Sequence, residues 1–463
     1  MYRTVPIHTR FTDEEQAYWL DQCYHANALT NCAVYLIRQQ HYELLDKNDA
    51  YGVYWSKDEL RWNWQTWYCR FGSHAELCKE LKDNVHYKAL AAQSAQQVLK
   101  SVSESVISYN KLVKLYYSGD LNGKPKLVKY RKKGLNAVAF PRQALTYREG
   151  SFYPSISRGA KDDVIGSIHL TPPDFVDPDW VKEVTIRPSQ GTFWVDWVID
   201  DGVEPIVNNP KLDYSQAIGF DHGGCNWLTA VTTQGKSFII DGRKPRSYLQ
   251  GHARLLAKYK QGKSEFYWDE TLDRVQFKRN NQMRDVINKT ARFIINYCLS
   301  HCIGNIIFGW NEGQKNQSKM TKQNNQTFVA MPTKRMIDRV KQLAEEYGIR
   351  VTLTEEAYTS KASYLDNDPL PKHGEKPSTL KFSGRRVCRG MSKASNGKLI
   401  NADCNGAANI LRKVKTQLGL DLAKVIGGIL MAPHRYDMYS RLSKLYRQTA
   451  LRNVPSGTEV TTV

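Results

Sequence analysis

Apolar and polar positions change their spacing along this chain, and the change separates two kinds of structure in its first half. From Asp13 to about Lys114 apolar residues recur at helical spacing, and Thr12 precedes this block as a candidate N-cap. The next region, from AVAFPRQALTY to TFWVDWVID, alternates apolar and polar residues between turns. This alternation predicts strands that assemble as a β-barrel or sandwich.

From Ala217 onward the pattern predicts strands first and then helices that alternate with strands. The segments that carry this prediction are AIGFDHGGCNWLTAVTTQGKSFIIDG, a basic helical hairpin from Arg246 to Cys302, NIIFGW (305–310), PTKRMIDRVKQLAEEYG (332–348), IRVTLTEEAYTS and NADCNGAANILRKV (401–414). This order indicates a mixed α/β sheet of the RNase H type. The chain after Gly427 has only a weak pattern.

The 463 residues are too many for a single hydrophobic core, and their charge is strongly positive. Lys and Arg number 66 against 46 Asp and Glu, which gives a formal net charge of +20. Such a chain repels itself unless a polyanion neutralises it, so nucleic acid is the expected partner. The sequence has no apolar run long enough to span a bilayer, and MYRTVPIHTRF lacks the apolar centre of a signal peptide. We therefore expect a cytoplasmic protein without a membrane partner.

Acidic residues from distant segments stand at the ends of predicted strands and helices. Asp221 ends a strand at a Gly-rich turn, Glu355 and Glu356 end another strand, and Asp403 lies at a helix start. Carboxylate oxygens are the ligands that Mg²⁺ prefers, and two Mg²⁺ ions about 4 Å apart can hydrolyse a phosphodiester. A single acid of this kind has a structural explanation, as Asp403 does in the form of a helix cap. Together the acids predict a metal-dependent nuclease site.

Two basic segments are candidates for contact with a nucleic-acid backbone. One is GKPKLVKYRKKG (123–134), which lies between Gly and Pro breakers, and the other is the loop-rich stretch from about 360 to 400. The predicted contact residues are Lys124, Lys126, Lys129, Arg131, Lys132, Lys133, Arg385, Arg386 and Arg389. For any single one of them, a solvated surface position is the alternative.

Several segments, in this order and spacing, resemble the transposon-encoded TnpB family, to which the type V CRISPR effector nucleases are related. They are AIGFDHGGCNWLTAV, RNNQMRDVINKTARFII, TEEAYTSKASYLDND and FSGRRVCRGMSKASNGKLINADCNGAANIL, and the resemblance is strongest from about 215 to 415. It implies a protein that binds a structured guide RNA, recognises a short flanking motif in double-stranded DNA and cuts with a single RuvC site. Asp221 and Asp403 match the first and last aspartates of that site.

The resemblance also implies an α+β multidomain architecture, in which a helical recognition lobe and a β-barrel wedge domain precede an RNase H-like RuvC nuclease domain. The expected boundaries are 1–25 and 121–212 for the wedge domain, 26–120 for the helical domain, 213–357 and 401–420 for the RuvC domain with its helical insertion, 358–400 for a basic loop region that binds the target nucleic acid, and 421–463 for a C-terminal tail.

The middle acid of the site departs from the usual pattern. Most of the family has a glutamate at the end of the strand that here is NIIFGW, where this chain has Phe308 and Gly309. A subset of the family supplies the glutamate from the neighbouring strand, just before YTSK. Glu356 fits that position, and Glu355 and Glu312 are the alternatives. Because strand neighbours point to opposite faces, only one of Glu355 and Glu356 should reach the metals.

A zinc ribbon is the second point at which the chain departs from its relatives. Many relatives have two CxxC pairs after the YTS segment, whereas the nine cysteines of this chain form no CxxC pair. The corresponding places hold Ala362, Leu365 and a basic loop with only Cys388. We therefore predict no structural zinc.

Loss of the usual middle glutamate leaves a second function open, a catalytically inactive RNA-guided repressor that binds DNA. A guide-independent junction resolvase is disfavoured, because such cores are much shorter and lack the large N-terminal region. The sequence does not separate a transposon protein from a CRISPR effector.

Overall fold

The first helix of the chain begins at the residue that follows Thr12. In the computed structural model, α1 (Asp13–Lys47) starts with a reciprocal pair of hydrogen bonds. Thr12 Oγ1 accepts from the backbone N–H of Glu15 at 3.2 Å, and the Glu15 carboxylate accepts from the backbone N–H of Thr12 at 2.9 Å. This capping box satisfies two donors that the helix geometry leaves unpaired. The predicted N-cap is therefore confirmed.

The structure describes residues 2–47, 73–132, 134–157, 168–311, 330–375, 377, 379–388 and 390–440. The chain divides into two compact units, Met1–Val203 and Glu204–Val463. Among the described helices, none combines the length and the apolar character that crossing a bilayer requires.

The first unit contains helices and an antiparallel sheet around one core. Its helices after α1 are α2 (His74–Leu81), α3 (Val85–Ala89) and α4 (Ala92–Tyr117), and its strands are β1 (Tyr2–Thr9), β2 (Val138–Pro141), β3 (Leu145–Arg148), β4 (Ser151–Pro154), β5 (Val181–Ser189) and β6 (Thr192–Asp200). Four strands form a sheet in the order β1-β6-β5-β2, and β3 and β4 form a separate hairpin. Trp19, Phe140 and Trp197 are fully buried between the helices and the sheet.

The closed β-barrel expected for this region is not confirmed. In the part of the chain that the structure describes, β1 and β2 are the outer strands of an open four-stranded sheet. Helices α1 and α4 pack against this sheet and share its core, and the β3–β4 hairpin reaches the same core, because the Phe152 ring lies 5.7 Å from that of Trp197. Alternating apolar positions show that a strand has one buried face, but they do not show whether a strand or a helix covers it.

The second unit is built on a six-stranded mixed sheet. The strands of this unit are β7 (Asp213–His222), β8 (Asn226–Thr232), β9 (Ser237–Asp241), β10 (Ile303–Gly309), β11 (Arg350–Thr354), β12 (Arg385–Cys388), β13 (Met391–Lys393), β14 (Leu399–Asn401) and β15 (His434–Tyr436). Its helices are α5 (Arg243–Lys260), α6 (Glu270–Ser300), α7 (Thr333–Tyr347), α8 (Ala402–Leu418) and α9 (Gly427–Met431). The sheet order is β11-β10-β7-β8-β9-β15. Strands β7, β10 and β11 run parallel, and β7, β8 and β9 form an antiparallel meander.

Side chains of β7 alternate between two cores on opposite faces of this sheet. Ile218 and Phe220 pack with α6 and α7, whereas Ala217 packs with α8. Gly219 lies on the α8 side as well, since a Cβ there would come 2.7 Å from Leu411 Cγ. By this alternation Asp221 belongs to the α8 face and His222 to the opposite one.

Aspartates fix the loop region in which relatives carry a zinc ribbon. Strands β12, β13 and β14 form a small antiparallel sheet there. The buried Asp368 carboxylate accepts hydrogen bonds from the backbone N–H of Ser363 at 2.8 Å and from the Ser383 hydroxyl at 2.7 Å. Asp366 accepts from the backbone N–H of Ser395 at 3.0 Å. Hydrogen bonds from backbone N–H groups and a hydroxyl to these two carboxylates therefore hold the segments of this loop region together.

Candidate active site

Three parallel strands end at one edge of the second unit's sheet. Asp221 is the penultimate residue of β7, Glu356 follows the end of β11 by two residues, and β10 ends between them at Gly309. Because the carboxyl ends of parallel strands share an edge, acids from remote parts of the sequence become neighbours. The first turn of α8, which contains Asp403, packs against β7 at the same place.

Asp221 faces the helix α8 so closely that only a glycine fits opposite it. A Cβ built on Gly406 would lie 2.4 Å from Asp221 Oδ2 and 2.9 Å from its Cγ. The glycine in the NGAAN segment therefore has a steric reason. It lets the backbone of α8 approach the carboxylate that ends β7.

Asp403 lies in the first turn of α8 but does not cap the helix. The N-cap is Asn401, whose side chain accepts from the backbone N–H groups of Asp403 and Cys404 at 3.0 and 3.1 Å. The Asp403 carboxylate is thus available to other partners. Its Oδ2 accepts a hydrogen bond from Asn226 Nδ2 at 2.6 Å, and its Oδ1 lies 4.0 Å from the Arg386 guanidinium.

Glu356 is held at its backbone and at its carboxylate. Its N–H donates to Asn311 Oδ1 at 3.0 Å, and its carbonyl accepts from the hydroxyl of Thr359 at 2.9 Å. Its carboxylate pairs with His222 Nδ1 at 2.6 Å, and the Glu356 and His222 side chains are only 14% and 5% exposed. The Glu356 carboxylate also lies close to Asp221, with which it belongs to one group of metal-ligand type.

The end of β10, which carries the glutamate in most relatives, is bare in this chain. A Cβ on Gly309 would come 2.7 Å from Glu356 Cγ and 2.8 Å from Glu356 Oε1. The Glu356 carboxylate therefore occupies the space that a side chain at position 309 would need.

Glu355 points away from this cluster. Its carboxylate accepts from the backbone N–H of His373 at 2.8 Å and lies 3.7 Å from Lys413 Nζ. Burial lowers the pKa of Lys413, and the charge of Glu355 acts in the opposite direction. Of the predicted acids, the structure thus brings Asp221, Glu356 and Asp403 together and leaves Glu355 aside. Glu312 lies outside the described residues.

Burial, together with the neighbouring acids, makes ionisation of Asp221 unfavourable. Burial raises the pKa of the Asp221 carboxyl to about 8, and the negative charges of Glu356 and Asp403 also raise it, against an opposite effect of His222. Like charges confined in a desolvated space are the arrangement that a divalent cation relieves.

The donor set fits a divalent cation. In the part of the chain that the structure describes, Asp221, His222 and Glu356 form a group of metal-ligand type, with one ligand atom from each within 4.8 Å of the others. Carboxylate oxygens are the ligands that Mg²⁺ prefers, and an imidazole nitrogen also suits ions such as Mn²⁺ or Zn²⁺. Asp403 borders the group and brings a further carboxylate.

Sequence reasoning missed several residues that shape the site. His222 follows Asp221 on the strand, so alternation argues against their sharing a partner, but Glu356 lies beyond the strand ends where it can reach both. Asn405 and Asn409, both buried, donate to the carbonyl of Ala362 at 2.8 Å in the turn after YTSK. Two asparagines four apart on the otherwise apolar face of a helix were the available signal, because buried amides need partners.

The first unit presents most of the predicted basic segment as an extended strap along α1. Asn31 exchanges two hydrogen bonds with the backbone of Arg131, at 2.8 and 3.1 Å, and Arg38 donates to the carbonyl of Val128 at 3.1 Å. Leu127 and Val128 pack against the core. The residues left exposed on the strap are Lys124, Lys126, Lys129, Arg131 and Lys132. The fixed backbone therefore presents a row of cations.

The remaining predicted basic residues divide between β12 and positions outside the described residues. Arg385 and Arg386 are exposed on β12, and Arg386 reaches Asp403. Lys133 and Arg389 lie outside the described residues.

Comparisons with known proteins agree with the family resemblance. Residues 200–315 match the OrfB_IS605 family, described as a probable transposase. No curated protein matches the chain. Three solved structures are similar: "Cryo-EM structure of the Cas12f1-sgRNA-target DNA complex" (14% identity, TM-score 0.47, 87% of this chain and 83% of that chain), "Cryo-EM structure of CRISPR-Cas12f Ternary Complex" (13%, 0.31, 86% and 81%) and "Structure of the mini-RNA-guided endonuclease CRISPR-Cas_phi3" (10%, 0.36, 94% and 94%). The matched residues 200–315 include Asp221 and the elements from β7 to β10, and over this segment the predicted resemblance to the TnpB transposase family is confirmed.

Proposed function

We propose that this chain is an RNA-guided DNA endonuclease that cuts by metal-dependent phosphodiester hydrolysis at a single RuvC-type site. The observation that carries the proposal is the meeting of Asp221, Glu356 and Asp403 from three remote segments at one edge of a mixed sheet. Nothing in packing alone requires three acids to share a partly buried place, whereas a pair of Mg²⁺ ions does.

In this proposal Asp221, Glu356 and Asp403 would hold the metal ions. When bound, two Mg²⁺ ions would supply the positive charge that activates the attacking water and stabilises the leaving oxygen. His222 fixes the orientation of Glu356, and Asn226 fixes that of Asp403. Arg386, near Asp403, is placed to neutralise a phosphate of the DNA strand.

The nucleic-acid partners follow from charge and from the family. A net charge of +20 and the exposed cations of the strap support binding to a polyanion. The TnpB resemblance supports a structured guide RNA as one partner and double-stranded target DNA, with a short flanking motif, as the other. We propose that the strap contacts the RNA backbone.

The test is guided cleavage by the full chain. The protein is purified with its co-purifying RNA, the RNA is sequenced, and a plasmid library with a matching target and a randomised flank is incubated with it and Mg²⁺. We expect cleavage beside a subset of flanks, and none with Asp221→Asn or Asp403→Asn. Guided binding without any cut at any Mg²⁺ concentration would instead support the inactive repressor.

A further inference from the structure

The strand β15 brings a guanidinium to the edge of the candidate active site. β15 pairs in parallel with β9, with Arg435 opposite Ile239. Tyr436 anchors the strand, because its ring packs 4.8 Å from that of Phe293 and 5.5 Å from that of Phe238. Since neighbouring side chains alternate, Arg435 is turned to the other face of the sheet, where α8 and Asp403 lie.

A chain of hydrogen bonds connects Arg435 to Asp403 through one amide side chain. Arg435 Nη2 donates to Asn226 Oδ1 at 2.7 Å, and Asn226 Nδ2 donates to Asp403 Oδ2 at 2.6 Å. Arg435 Nη1 also lies 3.5 Å from the Asp241 carboxylate, which holds the guanidinium from its other side.

The chemistry of these groups fixes the direction of the chain. An arginine side chain can only donate, so it requires the oxygen of the Asn226 amide to face it. The amide nitrogen is then forced to face Asp403 and must donate to it. Rotation of the amide by half a turn would set its oxygen against the Asp403 carboxylate and its nitrogen against the guanidinium, so both contacts oppose it; without the arginine only one of these two restraints remains.

We infer that Arg435 is a positioning residue for the metal site, acting through Asn226 on Asp403. The inference rests on the proposed function, because it takes Asp403 as a metal ligand. By donating to Oδ2, Asn226 holds the Asp403 carboxylate in one orientation beside Asp221. Partners that orient a ligand in this way change metal affinity or activity by about 10- to 100-fold when they are removed.

The test compares Mn²⁺ binding by the full chain in several variants. Free Mn²⁺ is measured by electron paramagnetic resonance, and only the binding that Asp221→Asn abolishes is assigned to the site. We expect Arg435→Gln to weaken this binding by about 10- to 100-fold. Arg435→Lys, which keeps a donor, should recover part of the loss. Arg243→Gln is the matched control, because Arg243 binds the same Asp241 carboxylate but its side chain is 69% exposed; it should bind Mn²⁺ like the native chain.

Two further results separate positioning from a general loss of structure. If Arg435 acts through Asn226, the variant that combines Asn226→Ala with Arg435→Gln should bind Mn²⁺ no more weakly than Asn226→Ala alone. In cleavage, Arg435→Gln should raise the half-saturating Mg²⁺ concentration more than it lowers the rate at saturation. Equal Mn²⁺ affinity in Arg435→Gln and the native chain, or equal losses in Arg435→Gln and Arg243→Gln, would overturn the inference. Native protein that binds Mn²⁺ in this Arg435-dependent way but never cuts DNA would overturn the proposed function alone.

Discussion

Gly406→Ala is the substitution that tests the site geometry most directly. The added Cβ would stand 2.4 Å from Asp221 Oδ2, whereas ordinary van der Waals contacts begin at 3.4 Å. One of the two groups must therefore move by about 1 Å. Helix α8 is packed against β7 and β8 through buried residues, so we expect the Asp221 side chain to be the part that shifts.

The expected effect is large on catalysis and small on stability. A misplacement of about 1 Å at a reacting centre lowers the rate by roughly 100-fold. In a helix interior, alanine is favoured over glycine by about 0.5–1 kcal/mol, and overpacking costs about 1–3 kcal/mol. The net destabilisation is then between about zero and 2.5 kcal/mol, which is less than the whole stability of an ordinary domain.

Single-turnover plasmid cleavage and a thermal melt together measure both effects. Gly251→Ala is the matched control, because Gly251 lies inside helix α5, where an added Cβ would meet no heavy atom within 4 Å. It gains the same helix preference without a clash and should cut at the native rate. If Gly406→Ala also cut at the native rate, Asp221 would not be the ligand that the geometry requires.

Three further predictions concern the acids and the strap. Glu356→Gln should lower the rate of DNA cleavage by at least about 100-fold, since even the partners of metal ligands contribute about 10- to 100-fold. Glu355→Gln should cleave within a few-fold of the native rate. If Glu355→Gln were instead the more damaging substitution, the roles of the two glutamates would be exchanged. The pKa of Asp221 is raised to about 8 in the cation-free chain, so Mn²⁺ must displace a proton when it binds at lower pH. The Mn²⁺ affinity, measured by calorimetry, should therefore rise about tenfold from pH 6 to 7 and level off above pH 8. An affinity that does not change with pH would contradict this assignment. Replacing Lys129 and Lys132 by alanine should weaken RNA binding and reduce its salt dependence, measured by filter binding over a salt series, in proportion to the phosphates released; an unchanged salt slope would remove the strap from the interface.

Local rules predicted much of the framework from sequence. The N-cap at Thr12 depends only on residues close to it in the sequence, so it can be recognised directly, whereas its reciprocal partner Glu15 emerges only in the structure. The pattern put Asp221 and Glu356 at the ends of two strands and Asp403 at the start of a helix, and the structure has Asp221 at the end of β7, Glu356 just beyond β11 and Asp403 in the first turn of α8. These predictions succeed because each rests on backbone geometry that repeats in every protein.

Contacts that depend on the three-dimensional arrangement could not be predicted in the same way. The choice between Glu355 and Glu356 depends on Asn311 and Thr359, which anchor the backbone of Glu356, and on Lys413, which attracts Glu355. The three-residue strand β15 is too short to produce a recognisable pattern. Its position follows from the pairing with β9 and from the packing of Tyr436, which are properties of the folded sheet.

The relation between Gly309 and Glu356 explains how the middle acid can change strands. A side chain at the end of β10 and a carboxylate reaching in from the end of β11 compete for one space, as the 2.7 Å approach of a Cβ at position 309 to Glu356 Cγ shows. An acid can therefore stand on either strand, provided that the other strand end is bare. In this chain the bare end is Gly309, and the carboxylate of Glu356 fills the space beside Asp221. The absence of the usual glutamate thus ceases to be an argument for an inactive protein, because the same geometry that excludes a side chain from β10 admits one from β11.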